Sequence, residues 1–279
     1  MIKIATIFAA GLMTLGLTVP VMAQGHETIT IEKQRWTFGG IFGTYDEHQL
    51  QRGFQVFREV CAGCHGAKLL AFRNLGEEGG PGFSEAQVKA LAAEYEINDP
   101  DVEGGTRKAL PSDNWPGTGQ SDADQRAAFG IVPPDLSVMA NARSVPAKFP
   151  DWLFNYFTTY SEGGPDYLHA LLTGYEDPPP EGAEIPEGKY YNHVFPGHAI
   201  GMPPPLSDGQ VVYTALEGQA EVPMTAEQYS IDVSAFMMWL AEPHLNSQKA
   251  AGFRVLTFLL LFAGLMWFVK QRLWRNVEH

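Results

Sequence analysis

The sequence predicts an all-α domain with long loops, joined to one C-terminal transmembrane helix. Three observations carry that prediction. Segments with helical apolar spacing open on capping-box residues, period-2 strand patterns are scarce, and an apolar run lies close to the C-terminus. Among the 279 residues, 45% are hydrophobic and 18% charged, the balance of a chain that builds one large core or two small ones.

Taken in order, the first residues, Met1-Ile2-Lys3, form a short positive region, and Ile4 to Val19 is almost wholly apolar. Val21-Met22-Ala23 then places small or modest side chains at a cleavage site, so residues 1–23 read as a secretory signal peptide that is removed. The alternative, a first transmembrane helix, is disfavoured by the polar Gln24-Gly25-His26-Glu27 that follows. Thr44-x-x-Glu47 opens a helix whose apolar positions are Leu50, Phe54, Phe57 and Cys61. Ser84-x-x-Gln87 opens a second, with Val88, Leu91, Ala92 and Tyr95 on one face. A third runs from about Asp166 to Thr173, with Pro165 in its first turn and Gly174 at its end. Thr225-x-x-Gln228 opens a fourth, carrying Ile231, Ala235, Met238 and Trp239 before Pro243 stops it. Long Gly/Pro/Asp-rich connections, Asn98 to Pro134 and Asp177 to Pro205, separate these helices. Loops of that length fit a compact domain when a large apolar cofactor organises them.

The last apolar run, Val255 to Val269, has fifteen apolar or small residues. Extended back to Ala250 it reaches the roughly 20 residues that span a bilayer, with Arg254 snorkelling to the headgroups. Lys270, Arg272 and Arg275 follow, and Trp267 and Trp274 sit at interface depth. The expected organisation is therefore signal 1–23, an exported (periplasmic) domain 24–249, an anchor 250–270 and a cytoplasmic tail 271–279. A buried core helix is the competing reading of the same run.

Lys and Arg number 19 against 32 Asp and Glu, a net charge of −13, so the basic footprint of a nucleic-acid binder is missing. Both cysteines of the chain lie in Cys61-Ala62-Gly63-Cys64-His65. One such pair cannot complete a four-cysteine zinc site, but C-x-x-C-H is the attachment signature of a c-type haem. Two thiols a short turn apart reach both vinyl groups, and the next residue sets its imidazole under the iron. His65 is the expected proximal ligand of one covalent haem c. The opposite ligand decides between electron transfer and molecule binding. Met202, in Ala199-Ile-Gly-Met-Pro-Pro-Pro205, lies in a stretch that proline holds extended and glycine lets approach closely. Met139, 74 residues after His65, has the loop length of a small soluble cytochrome c, though its setting reads as helical core packing. His198 is a third possibility, and Met237 and Met238 read as core.

At these residues the sequence resembles the cytochrome c1 family, the membrane-anchored haem subunit of the quinol–cytochrome c oxidoreductase (cytochrome bc1) complex. The motifs are Arg52-Gly-Phe-Gln-Val-Phe57 before the haem signature, Pro133-Pro-Asp-Leu-Ser137 with Ala142-Arg143, and Asp166-Tyr167 to Leu171-Leu-Thr-Gly-Tyr175. Tyr190-Tyr-Asn192, Phe195-Pro-Gly197, Met202-Pro-Pro-Pro205 and Trp239-Leu-Ala-Glu-Pro243 complete them. The resemblance implies a class I cytochrome c-like haem domain, thioethers at Cys61 and Cys64, and axial ligands at His65 and Met202. It makes Arg143 and Tyr167 candidate contacts of the haem propionates. It also implies partners: cytochrome b, a Rieske iron–sulfur protein as donor, and a soluble cytochrome c as acceptor, in an inner membrane. Some bacterial members have a further cysteine pair forming a disulfide near the methionine ligand, which this chain lacks. The chain alone is then an electron carrier with no catalytic acid, base or nucleophile, acting as the electron-transfer subunit of a quinol–cytochrome c reductase. An anchored cytochrome c serving a terminal oxidase or another reductase would show the same haem site. A haem enzyme or gas sensor would need an exchangeable sixth position.

Overall fold

The computed structural model describes residues 30–144, 149–158, 160, 162–213 and 221–276. The expected signal peptide, 1–23, lies outside these residues. Helix α1 spans Glu47–Glu59 and ends in a tight 3-10 turn at Cys61–Gly63. A second 3-10 turn, Phe72–Gly76, leads to α2, Glu85–Ala92. The next elements are the antiparallel pair β1 (Glu96–Asn98) and β2 (Thr106–Lys108), then α3 (Asp122–Phe129), α4 (Met139–Ala142), α5 (Asp151–Thr158) and α6 (Gly163–Thr173). A second antiparallel pair, β3 (Tyr190–Tyr191) and β4 (Ala199–Ile200), precedes α7 (Ala226–Ala241) and the long α8 (Leu245–Trp274). The all-α class holds, with sheet confined to these short pairs.

The core is built where α1 crosses α7, with α4 and α6 also packed on α7. Gly53 makes the crossing possible: a Cβ there would sit 2.1 Å from the Asp232 carbonyl oxygen of α7. Beside it Arg52 donates from Nε and Nη2 to the two oxygens of Asp232, at 2.9 and 3.1 Å. The fully buried Asp232 also accepts from the Tyr213 hydroxyl and from Gln228. Phe54, Phe57, Trp115 and Phe236 interlock around the crossing with ring centroids 5.4 to 5.9 Å apart. Met237 and Met238 are buried in α7, as core packing requires.

The element starts differ in detail from the sequence pattern. Helix α1 is capped by Asp46, whose carboxylate accepts from the Gln49 amide, and not by Thr44. The cap thus lies two residues beyond Thr44, whose amide donates to the Thr37 carbonyl at 3.1 Å and closes a loop. Helix α1 ends at Glu59, so Cys61 lies in the 3-10 turn beyond it and not on its apolar face. The caps at Ser84 and Thr225 form as expected. The third helix starts at Gly163, earlier than Asp166.

Helix α8 has 30 residues, a length of about 45 Å, against the roughly 30 Å of a bilayer's hydrocarbon core. It is the one helix among the described residues that is long and apolar enough to cross a membrane, and none of its most apolar stretch is buried. That exposure removes the competing reading of a buried core helix.

Candidate functional site

The C-terminal end of α1 delivers the two thiols. The Cys64 and His65 amides both donate to the Cys61 carbonyl, at 3.1 and 2.9 Å, so the C-x-x-C-H stretch is wound into a single turn. Both cysteines are half-buried and unbridged. Burial, then the neighbouring Cys64, pushes the Cys61 thiol up to about 12, which leaves it protonated. His65 Nδ1 lies 2.7 Å from the Pro134 carbonyl oxygen. A carbonyl only accepts, so Nδ1 carries the hydrogen and the Nε2 lone pair is left for a metal. Burial holds the imidazole below its ordinary range, which favours this neutral form.

The Pro133-Pro134 segment is strapped along the haem signature. Gly66 accepts from the Leu136 amide at 2.8 Å, the Asp135 carboxylate accepts from the Lys68 amide at 2.9 Å, and Ser137 Oγ accepts from the Leu69 amide at 3.0 Å. Burial pushes the Asp135 carboxyl up, but hydrogen bonds from Ser137 and the Lys68 amide outweigh it and hold the group below the usual carboxylate range. The same strap passes near the methionine loop: a Cβ added at Gly201 would lie 3.7 Å from Ile131 Cγ2, three residues before the Pro134 that holds His65.

Met202 is half-buried and follows the β3–β4 pair. Its carbonyl accepts from the Tyr175 hydroxyl at 3.1 Å. The fully buried Asn192 ties the pair to α6: its Nδ2 donates to Leu171 O at 2.8 Å, and its Oδ1 accepts from the Val194 and Phe195 amides. His198 is engaged elsewhere, stacked on Tyr191 with centroids 5.5 Å apart and its Nδ1 on the Asn192 carbonyl. Met139 opens α4 and packs against the core. Arg143 ends α4, exposed, and the buried Tyr167 lies on α6. Burial raises the Tyr167 phenol, and the positive charge of Arg143 partly offsets that rise.

The donor set at the strap is two thiols on one turn, an imidazole with a free Nε2, and a thioether on a braced loop. It suits a covalently held iron porphyrin. The contributions of Tyr175 and Asn192 escaped the sequence, because a hydrogen bond to a backbone carbonyl leaves no residue-type signal at the acceptor.

Residues 36–277 match the model of the Cytochrome C1 family. The chain belongs to the cytochrome c1 family. It is 50% identical over 246 residues to the cytochrome b/c1 of Bradyrhizobium diazoefficiens, an alignment covering 87% of this chain and 35% of that longer protein. It is 44% identical over 266 residues to the cytochrome c1 of Blastochloris viridis, covering 94% and 92% of the two chains. The cytochrome c1 of Rhodospirillum rubrum is 40% identical over 296 residues, with 98% and 99% covered. As a cytochrome c1 family member the chain carries covalently attached haem c and transfers electrons.

Proposed function

We propose that Cys61 and Cys64 form the thioethers, that His65 Nε2 and the Met202 sulfur are the axial ligands, and that Arg143 and Tyr167 contact the propionates. The observation that carries this reading is the bond between His65 Nδ1 and the Pro134 carbonyl, which leaves the Nε2 lone pair for iron on a strap that also passes near the Met202 loop. Bound haem supplies a one-electron iron couple. The chain's part is to hold both axial positions filled, which raises the reduction potential and leaves no site for a substrate. Electron passage needs no acid, base or nucleophile from the protein.

The chain acts, in this proposal, within a quinol–cytochrome c oxidoreductase, beside a cytochrome b. The Bradyrhizobium relative's name, cytochrome b/c1, joins the two. A Rieske protein reduces it and a soluble cytochrome c oxidises it. Residues 24–249 lie in the periplasm, 250–270 cross the inner membrane, and 271–279 are cytoplasmic, with residues 1–23 removed. The basic residues Lys270, Arg272 and Arg275 at one end of α8 support that orientation.

Two experiments test these statements. In the reduced wild-type protein carbon monoxide should not bind, whereas Met202→Leu should bind it and lose the thioether-to-iron charge-transfer band of the oxidised form. Carbon monoxide binding by the wild type would overturn Met202 as ligand. Purification from membranes in mild detergent should bring down b-type haem that added quinol reduces. A lone c-type signal that quinol leaves oxidised would move the chain to an anchored cytochrome c serving another enzyme.

A further inference from the structure

A closed loop on the haem domain ends in two apolar side chains beside the start of α8. The Thr44 amide donates to the Thr37 carbonyl at 3.1 Å and the Gly39 amide to the Trp36 carbonyl at 3.0 Å, while Glu162 Oε1 accepts from the Gly40 amide at 2.8 Å. The turn is too tight for a side chain at Gly43, where a Cβ would sit 2.1 Å from the Gly39 carbonyl oxygen. Trp36, Phe38 and Tyr45 root the loop in the core. Its tip does the opposite: Ile41 is 47% and Phe42 79% exposed.

The loop is fixed along the axis of α8 at three places on one face. Asn246 Oδ1 accepts from the Tyr45 amide at 3.2 Å, Lys249 Nζ donates to the Phe38 and Gly43 carbonyls, and the Phe253 ring meets the Phe42 ring edge-on with centroids 6.0 Å apart. Those positions are three and four residues apart, the spacing of one helix face. If Lys270 marks one edge of the hydrocarbon, about 30 Å at 1.5 Å per residue puts the other edge near Ala250. Phe253 is then about 4–5 Å inside that edge, and Phe42 stands against it at the same depth. Lys249 lies just outside, where its ammonium is satisfied by the loop's carbonyls.

We propose that the 37–44 loop is a second membrane contact, with Ile41 and Phe42 seated at the boundary of headgroups and acyl chains. The proposal rests on α8 being a membrane span. The partner it fits is lipid. Two side chains offer on the order of 300 Å², well below the roughly 800 Å² that each partner brings to a stable protein interface. They also continue an apolar surface that already belongs to the span. A rigid loop and a helix held side by side at the membrane surface fix the tilt of the haem domain, which a single helix would leave free to swivel.

The test uses the full chain with its haem, in phosphatidylcholine vesicles. Its two native cysteines are taken up in thioethers, so Phe42→Cys presents one reactive thiol for a nitroxide label. Collision of the label with oxygen, which concentrates in lipid, is compared with collision with a water-soluble nickel chelate. Leu259→Cys within α8 and Glu103→Cys on an exposed turn serve as the lipid and water references. The label at 42 should show an oxygen-to-nickel ratio several-fold above that at 103 and on the side of 259, with Ile41→Cys giving an independent second reading. A water-like ratio at 42 with a lipid-like ratio at 259 overturns the loop contact while leaving the span intact. A water-like ratio at 259 overturns the span and the loop contact with it. A label at 42 shielded from both reagents means that protein covers the tip, which also overturns the proposal.

Discussion

Tyr175 shows how a single hydroxyl supports the Met202 loop from outside it. The phenol sits just beyond the end of α6 and donates to the Met202 carbonyl, and burial pushes its ionisation well above the ordinary range, so it remains a donor at every physiological pH. Replacing it by Phe keeps the ring and deletes one hydrogen bond, a loss of about 0.5–1.5 kcal/mol. Tyr175→Phe should therefore lower the unfolding free energy of the holoprotein by that amount, read as a lower denaturant midpoint at an unchanged slope. It should also raise the rate at which added imidazole displaces the sixth ligand of the oxidised form, since the loop opens more often. An unchanged displacement rate with lowered stability would mean that Tyr175 braces α6 and not the ligand loop. Part of this site was legible in residue types alone: Cys61, Cys64, His65 and Met202 announce themselves by chemistry and spacing. The acceptors that orient them, the carbonyls of Pro134 and Met202, belong to the backbone that every residue shares, and only the fold reveals which of them is used.

The α1–α7 crossing carries the haem signature, because the Cys61–Gly63 turn hangs from the end of α1. Gly53 lets the two backbones meet, and a methyl group there would be driven into the Asp232 carbonyl and Phe236 Cβ. Forcing such an overlap costs about 1–3 kcal/mol when the helices can part slightly. Gly53→Ala should lower stability by that amount or more and shift the haem-ligation spectrum, while Ala90→Gly, on the exposed part of α2, should leave the spectrum unchanged. A stability loss with an unaltered spectrum would show that the crossing does not set the ligand geometry. The four helices with amphipathic spacing were legible because each buries a continuous face against this crossing or beside it. Helix α3 escaped although Ser121 and Asp124 form a reciprocal cap, since the one side chain it buries is the polar Gln125. In helix α5, which also escaped, three consecutive apolar side chains, Trp152, Leu153 and Phe154, are exposed and do not share one inward face. The β3–β4 pair is two residues long on each side, too short for a period-2 pattern to exist.

For the whole molecule the governing quantity is a net charge of −13, which would steer a basic partner such as the soluble cytochrome c of the proposed function. The acidic residues do not contribute equally. Glu94 pairs with Arg58, Glu96 with Lys108 and Asp99 with Arg107, so much of their field is cancelled within the chain. Glu78, Asp101 and Glu103 are exposed and take part in none of these pairs. Steering acts over a screening length of about 30 Å at 0.01 M salt and about 8 Å at 0.15 M, so association with a basic cytochrome c should slow by roughly 10- to 100-fold across that range. Reversing Glu78, Asp101 and Glu103 to Lys should lower the low-salt rate and flatten its salt dependence, as read by stopped-flow oxidation of the reduced haem. Neutralising both members of each pair, Arg58 with Glu94, Lys108 with Glu96 and Arg107 with Asp99, should do less, because removing a whole pair leaves the net charge unchanged. A low-salt rate that ignores both sets would place the docking surface away from the 78–103 region, and a rate indifferent to salt would make it an apolar contact with no electrostatic steering.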